Sequence, residues 1–314
     1  MISAFYLDSG LRSASDLKSL EGVKAKPLWV DVSDISKEEA EALQNVFSLH
    51  PLTVEDLLNH RGRVKVEEFS EYLVCVFYSS ASAKNIEMEE IDFVLGPSFV
   101  LSNHWKPVES FENLKKNPEK IGELLKKGPD FMLHALLDAE IENFYPVLEN
   151  VSDRIEALED RVVKGPKTSY LMEILKLKRQ IAGIKKLGFQ HREKVSFLAK
   201  NEYKLISKKA APYFRDAYDQ SIRVSDMIET QREAIGNAFD VYMSALANNT
   251  NEVMKILSII ATIALPLTVI SSIYGTNFRA LPGAENPLGF WLMLLLMLAV
   301  SAVMLYHFRR KGWI

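Results

Sequence analysis

A single cysteine, Cys75, in 314 residues leaves no room for an internal disulfide framework and fits a reducing compartment for the soluble part of the chain. Basic residues are not in excess. Thirty-eight Lys and Arg against 41 Asp and Glu give a formal net charge of −3 and a sequence pI ≈ 6.1, so nucleic acid is not an expected partner. Met1-Ile2-Ser3-Ala4-Phe5 lacks a basic region followed by an apolar core, and no secretory leader is expected. No Gly-x-x-x-x-Gly-Lys phosphate loop occurs, which argues against nucleotide-driven work, and no cofactor or covalent chemistry is expected. Long apolar runs are missing from the first ~250 residues. A mean hydropathy near zero conceals this, because the apolar residues are concentrated at one end.

At that end stand two runs of membrane length, Ile256 to Tyr274 and Phe290 to Phe308. About 19 residues make ~28 Å of helix, against roughly 30 Å of hydrocarbon. The first run carries Ser258, Thr262, Thr268, Ser271 and Ser272, whereas the second is far more apolar and ends in Arg309-Arg310-Lys311. Between them lies a short loop opening with Tyr274-Gly275-Thr276-Asn277-Phe278, which holds one Arg279 and one Glu285. The basic tail predicts a cytoplasmic C-terminus, and two crossings return residues 1 to about 250 to the same side.

Upstream, the first ~125 residues mix short β-like runs (Leu28 to Val32, Tyr72 to Tyr78, Ile91 to Leu95) with helical stretches such as Lys37 to Phe47. Phe69 to Tyr72 and Gly96-Pro97 read as turns. An α/β cytoplasmic domain over 1–129 follows, with its strand order open. His50-Pro51 with Glu55 and Asp56 reads as a helix start rather than a metal site. Long helices come next: Phe131 to Val163 with a possible kink at Pro146, then from Thr168 to about Ser207 after Gly165-Pro166, then Pro212 to Tyr274. The first of these is acidic and the second basic, as in a solvated antiparallel pair. The third, about 60 residues, would reach ~90 Å as one helix. The expected division is 1–129, a 130–250 stalk region, and a 251–314 membrane region with spans at about 256–274 and 290–308.

The third helix carries a coherent face. Asp226, Glu229, Glu233, Asn237, Asp240, Ser244, Ala247 and Asn251 recur at three or four, followed by Met254, Ser258, Ala261, Leu265, Thr268 and Ser272. An adjacent line of Ile228, Ile235, Phe239, Tyr242 and Leu246 is spaced for packing. Hydroxyls within a bilayer need partners, which a water-filled path supplies; backbone bonding or helix cementing is the plainer alternative for any single one. Two spans cannot enclose water, so the face implies a ring of identical subunits.

These residues resemble the CorA family of magnesium transporters. The likeness rests on Asn251-Glu252-Val253-Met254-Lys255, Ile259-Ile260-Ala261-Thr262-Ile263, Pro266-Leu267-Thr268 and the Tyr274 to Phe278 loop, with the ending from Tyr306 to Ile314. Weaker echoes are Trp29-Val30-Asp31-Val32, Leu49-His50-Pro51-Leu52 and Val64-Lys65-Val66-Glu67. The resemblance implies a funnel-shaped homopentamer in the cytoplasmic membrane with both termini cytoplasmic. It implies gated passage of hydrated Mg2+, with Co2+ as a further cargo, and Mg2+ as a regulatory ligand. By position, Gly275, Thr276 and Asn277 would form the selectivity loop. Asn251, Met254, Leu257, Leu265 and Thr268 would line the pore. Asp240, Asp216 and Glu89, with Glu87 and Glu90 as alternatives to Glu89, would sense metal between subunits. Thr276 replaces the family's methionine, and Pro282 is followed by Gly283 and Ala284 before Glu285, displacing the usual acidic residue. A transporter of Zn2+, Ni2+ or Co2+ with the same architecture, or a membrane-anchored scaffold that does not transport, are the competing readings.

Overall fold

The computed structural model describes all residues except 1, 16, 60, 61, 81–87, 201, 202, 278–280, 284 and 285. The chain divides into two compact units, one of Met1–Glu159 with Ser169–Phe239, the other of Asp160–Thr168 with Asp240–Ile314. The borders fall inside helices α7 (Phe144–Lys164) and α9 (Ala211–Tyr274) and at the start of α8 (Thr168–Lys200).

The first unit is built on a seven-stranded sheet ordered β2-β1-β3-β7-β6-β5-β4. Its strands are β1 (Ile2–Leu7), β2 (Leu11–Ala14), β3 (Leu28–Ser33), β4 (Lys65–Glu68), β5 (Leu73–Ser80), β6 (Met88–Leu95) and β7 (Phe99–His104). Only β3 and β7 run parallel, Leu28 opposite Phe99 through Ser33 opposite His104; all other pairs are antiparallel. The central strands are covered on both faces, which is why β3, β5 and β6 read as short apolar runs rather than alternating ones. Alternation still sorts their side chains. Val30, Val32, Val74, Val76 and Leu101 join Leu20, Ala40, Leu43, Phe47 and Leu57 from α1 (Leu17–Leu20), α2 (Lys37–Phe47) and α3 (Pro51–Asn59) in one core. Trp29, Cys75, Phe77, Phe93 and Val100 point to the other face. There they meet Phe111, Ile121 and Leu125 of α4 (Glu109–Lys115) and α5 (Pro118–Lys127), Met132 and Leu136 of α6 (Pro129–Glu142), and the long helices through Val147, Ile184, Phe214 and Ile228. The sheet and the helices after residue 130 thus share a core.

Local signals explain the helix starts. Ser36 caps α2 in a reciprocal capping box with Glu39. His50 Nδ1 accepts from the Leu52 amide (3.2 Å) at the start of α3, while Asp56, a turn further in, pairs with Lys65 at 2.7 Å. The turns expected at 69–72 and 96–97 form, with Phe69 N–H to Tyr72 O at 2.8 Å and Gly96 N–H to Phe99 O at 2.8 Å.

Two helix boundaries differ from the sequence reading. Phe131 to Val163 is not one kinked helix, because α6 stops at Glu142 and α7 starts at Phe144. Pro146 has no N–H and its ring opposes the carbonyl four residues back, at Glu142, so the break falls before the proline rather than at it. The next helix, α8, ends at Lys200 rather than near Ser207. Ser207 is captured elsewhere: its amide donates to the buried Asp130 Oδ2 (2.8 Å), and its hydroxyl accepts from Ala210 N–H (3.2 Å) just ahead of α9.

One buried polar network ties β3, β7 and α4. The Asp31 carboxylate, 1% exposed, accepts from Ser102 Oγ at 2.5 Å and from Lys115 Nζ at 2.7 Å, with His104 Nε2 at 3.2 Å. Trp29 Nε1 donates to Ser102 Oγ at 3.0 Å. Burial alone would raise the Asp31 carboxyl, but His104 and Lys115 outweigh it and hold it below the usual carboxylate value. His191 of α8, in ring contact with Phe77 and Phe144, accepts from the Tyr78 amide at 3.0 Å, and burial drives its imidazole down to about 3, so it stays neutral.

Candidate ion pathway

Helix α9 runs unbroken for 64 residues with Pro266 inside it, and α10 (Gly289–Arg310) follows the loop. Both are long and apolar enough to cross a membrane, and little of either apolar stretch is fully buried. Their burial patterns are complementary. On α9, Lys255, Ile259, Ile263, Pro266, Leu267 and Ile270 are half-buried, a stripe at three-to-four spacing. On α10 the matching stripe is Met293, Leu294, Met297, Val300, Ser301 and Met304, ending in buried Phe308. Each span therefore spends one face on packing and leaves the rest free.

The residues expected to line a pore fall on the free part of α9. Asn251, Met254, Leu257, Leu265 and Thr268 are all exposed, Leu265 at 70%. Three of the hydroxyls along the span bond back to their own helix. Ser258 Oγ donates to Met254 O (2.8 Å), Thr268 Oγ1 to Ala264 O (2.9 Å) and Ser271 Oγ to Thr268 O (3.0 Å). With its proton held by the backbone, each such oxygen offers only lone pairs outward. The plainer role for these hydroxyls and the wet one are thus compatible.

At the far end of α9 the loop is built tightly. Gly275 N–H donates to Ser271 O at 2.9 Å, and a Cβ on Gly275 would stand only 3.1 Å from that carbonyl, so glycine suits the turn on steric grounds alone. Thr276 uses both its amide (3.3 Å) and its Oγ1 (2.7 Å) on Ile273 O, while Tyr274 Oη reaches Pro282 O at 3.0 Å. Asn277 is exposed beyond this cap. Phe278, Arg279, Ala284 and Glu285 lie outside the described residues.

The acidic line of α9 is divided among partners. Glu229 pairs with Lys185 of α8 (2.6 Å) and Arg232 (2.5 Å), so the basic α8 finds part of its counter-charge on α9. The apolar line stays buried at Ile228, Ile235 and Tyr242 and emerges at Leu246. Asp240 is exposed and belongs to the second unit, where it borders a cleft of about 550 Å³ with Ser244, Asn248 and Glu252, lined also by the end of α7 (Val163, Lys164) and by Gly165 and Pro166.

The carboxylates expected to sense metal have separate surroundings within their own units. Glu89 is bound by Lys106, Asp216 accepts from Gln220 Nε2 at 3.5 Å, and Glu87 lies outside the described residues. Glu90 accepts from Tyr78 Oη at 2.7 Å. Among the described residues, no group of three or more His, Cys, Asp or Glu is arranged to hold a metal ion.

One neighbour of Asp216 escaped sequence reading. Asp138 of α6 is shifted upward by burial, opposed by His134 and reinforced by the negative charge of Asp216. His134 is held down by burial against the pull of Asp138. The His134 to Asp138 step of four residues on α6 was the available signal, but only the fold sets it beside α9.

A two-span membrane protein with an α/β domain, a long helix continuing into the first span and a Gly-x-Asn loop between the spans is the class these elements define. The sequence profile described as CorA-like Mg2+ transporter protein matches residues 24–310, and the chain belongs to that family. It is 34% identical over 293 residues to the cobalt/magnesium transport protein CorA of Thermotoga maritima, covering 92% of this chain and 84% of the relative. Its fold matches the complete structure of the CorA magnesium transporter from Methanocaldococcus jannaschii with a TM-score of 0.87 at 24% identity, over 100% of this chain and 99% of that one. It also matches the full-length structure of CmaX with a TM-score of 0.75 at 21% identity, over 99% and 97%. This family is one of membrane transporters for divalent cations rather than enzymes.

Proposed function

We propose that five copies of this chain form a gated pore carrying hydrated Mg2+, and Co2+ less selectively, across the cytoplasmic membrane, with both termini in the cytoplasm. The observation that carries this reading is the free face of α9, whose exposed Asn251 and Thr268 lie away from the α10 stripe and whose end leads to Asn277. Mg2+ sheds water reluctantly and prefers oxygen, so the path must greet its water shell rather than strip it. Lone pairs of backbone-tied hydroxyls and carboxamide carbonyls of an Asn277 ring accept hydrogen bonds from that shell without holding the ion too long to leave. Met254, Leu257 and Leu265 supply the apolar constrictions. Arg309, Arg310 and Lys311 favour the cytoplasmic placement of the tail.

Thr276, standing where the family has methionine, favours a test against a second reading, transport of Zn2+ or Ni2+ through the same architecture. His and Cys, the natural ligands of those ions, are absent from the spans apart from His307 near the cytoplasmic end. In proteoliposomes containing the purified chain, Mg2+ uptake is expected to exceed Zn2+ uptake at equal gradients. Zn2+ flux with no Mg2+ flux would reject the assignment.

Mg2+ is also the proposed regulator. Asp240, Asp216 and Glu89 would meet carboxylates of neighbouring subunits, repelling without metal and bridged with it, so that cytosolic Mg2+ closes the pore. The negative field of Asp138 beside Asp216 adds to that repulsion. Asp240→Ala is expected to weaken inhibition by millimolar-range Mg2+. Inhibition curves that superimpose on the unmodified protein would remove Asp240 from the sensor.

A further inference from the structure

The C-terminal tail is folded rather than simply trailing. Helix α10 ends with Lys311 as its cap, and Gly312 takes φ +68°, a left-handed conformation that favours glycine. Gly312 N–H donates to Arg309 O (3.0 Å) and Trp313 N–H to Phe308 O (2.9 Å). This is the paired hydrogen-bond pattern of a Schellman cap, and its customary apolar contact is present: Trp313 stacks on Phe308 with centroids 5.6 Å apart and planes 15° apart. The turned-back chain directs Gly312 O at Lys255 Nζ of α9, 3.3 Å away.

Three cations, Arg309, Arg310 and Lys311, thus lead into the turn that carries the stacked indole, and a fourth, Lys255, is bonded to that turn. Arg309, Arg310 and Lys311 are exposed, and among the described residues no carboxylate pairs with any of the four. Trp313 is 40% exposed. Unpaired cations beside an amphipathic aromatic ring, at the depth where hydrocarbon gives way to water, match one chemistry: a phosphate on a lipid headgroup, with the acyl chains beside α10.

We propose that this capped tail is a built site for anionic phospholipid at the cytoplasmic interface. It rests on α10 as a membrane span and not on which ion is carried. A basic flank that merely sets topology needs no ordered turn; here the cap and the stack fix the chain after Lys311, and Lys255 is tethered to that turn. A free phosphate would satisfy the cations but gain nothing from Trp313 or the adjacent span.

The test uses the full-length protein in nanodiscs of mixed phosphatidylglycerol and phosphatidylcholine, reading the lipid retained with the protein after exchange by mass spectrometry. Phosphatidylglycerol should be enriched over phosphatidylcholine. Arg309→Gln with Arg310→Gln should cut that enrichment by about fivefold or more, from the usual worth of a cation near an anionic surface. Gly312→Val is the discriminating variant, since it leaves every charge in place but cannot hold φ +68° comfortably; it should also lose most of the enrichment. Undiminished enrichment in Gly312→Val would overturn the built site in favour of diffuse charge. Absence of enrichment in the unmodified protein, or equal competition by inorganic phosphate, would overturn the lipid assignment. Because retention is read without any ion gradient, failure here leaves the transport test standing, and failure of Mg2+ flux leaves this one standing.

Discussion

Asn277→Ala is expected to lower Mg2+ flux in proteoliposomes by about tenfold or more, corresponding to ~1.4 kcal/mol of barrier, while the oligomer stays assembled. The side chain is exposed beyond the Gly275 cap and supports no described packing, so removing it costs the fold little. In the proposed pore the change would remove a ring of carbonyl oxygens at the mouth, leaving the ion to meet the constriction with its water shell unsupported. Thr268→Ala should act in the same direction with a smaller effect, because its hydroxyl already spends its proton on Ala264 O and offers only acceptance. A membrane-anchored scaffold would tolerate both changes. Flux unaltered in the two variants would therefore return the chain to that reading.

The second large effect concerns the folded body. Lys115→Met is expected to destabilise it by about 3–5 kcal/mol, since it leaves the Asp31 carboxylate inside the protein without its lysine counter-charge. Thermal unfolding of the detergent-solubilised protein should show a midpoint lower by roughly 10 °C. Adding Asp31→Asn to that background should recover part of the loss by removing the charge. The pH dependence has a definite sign. The folded Asp31 carboxyl sits below its unfolded value, so its contribution is complete above about pH 4 and declines as pH falls through the depressed folded value. A midpoint unmoved by Lys115→Met would show that Ser102 and His104 suffice.

The parts of the fold that announced themselves did so through periodicity. Lys37 to Phe47 became α2 with Ala40, Leu43 and Phe47 buried as spaced, and the apolar runs at 28, 72 and 91 became β3, β5 and β6. The long helix from 212 to 274 was legible because nothing in it forces a stop. Strand β7 was not, because half of Phe99–His104 is Ser102, Asn103 and His104. Those polar residues are buried only because Asp31, Asp92 and the Leu57 carbonyl wait for them on other segments. Edge strands β2 and β4 are four residues long and half-polar or more, and carried no signal of their own. The family loop and the free face of α9 could be read from residue order. The proximity of Asp138 to Asp216 could not, since α6 and α9 are brought together by a core of distant apolar residues.

Pro266 subtracts one backbone hydrogen bond from the first span. A proline in mid-helix leaves the carbonyl four residues earlier, on Thr262, without its usual amide donor. In hydrocarbon that oxygen would be costly unless a water molecule or a neighbouring side chain met it, and the helix has one backbone hydrogen bond fewer there. The span thereby acquires a soft joint between the Met254 and Thr268 levels. Tilting about that joint would let the outer third swing while the inner part, tethered through Lys255, keeps its place.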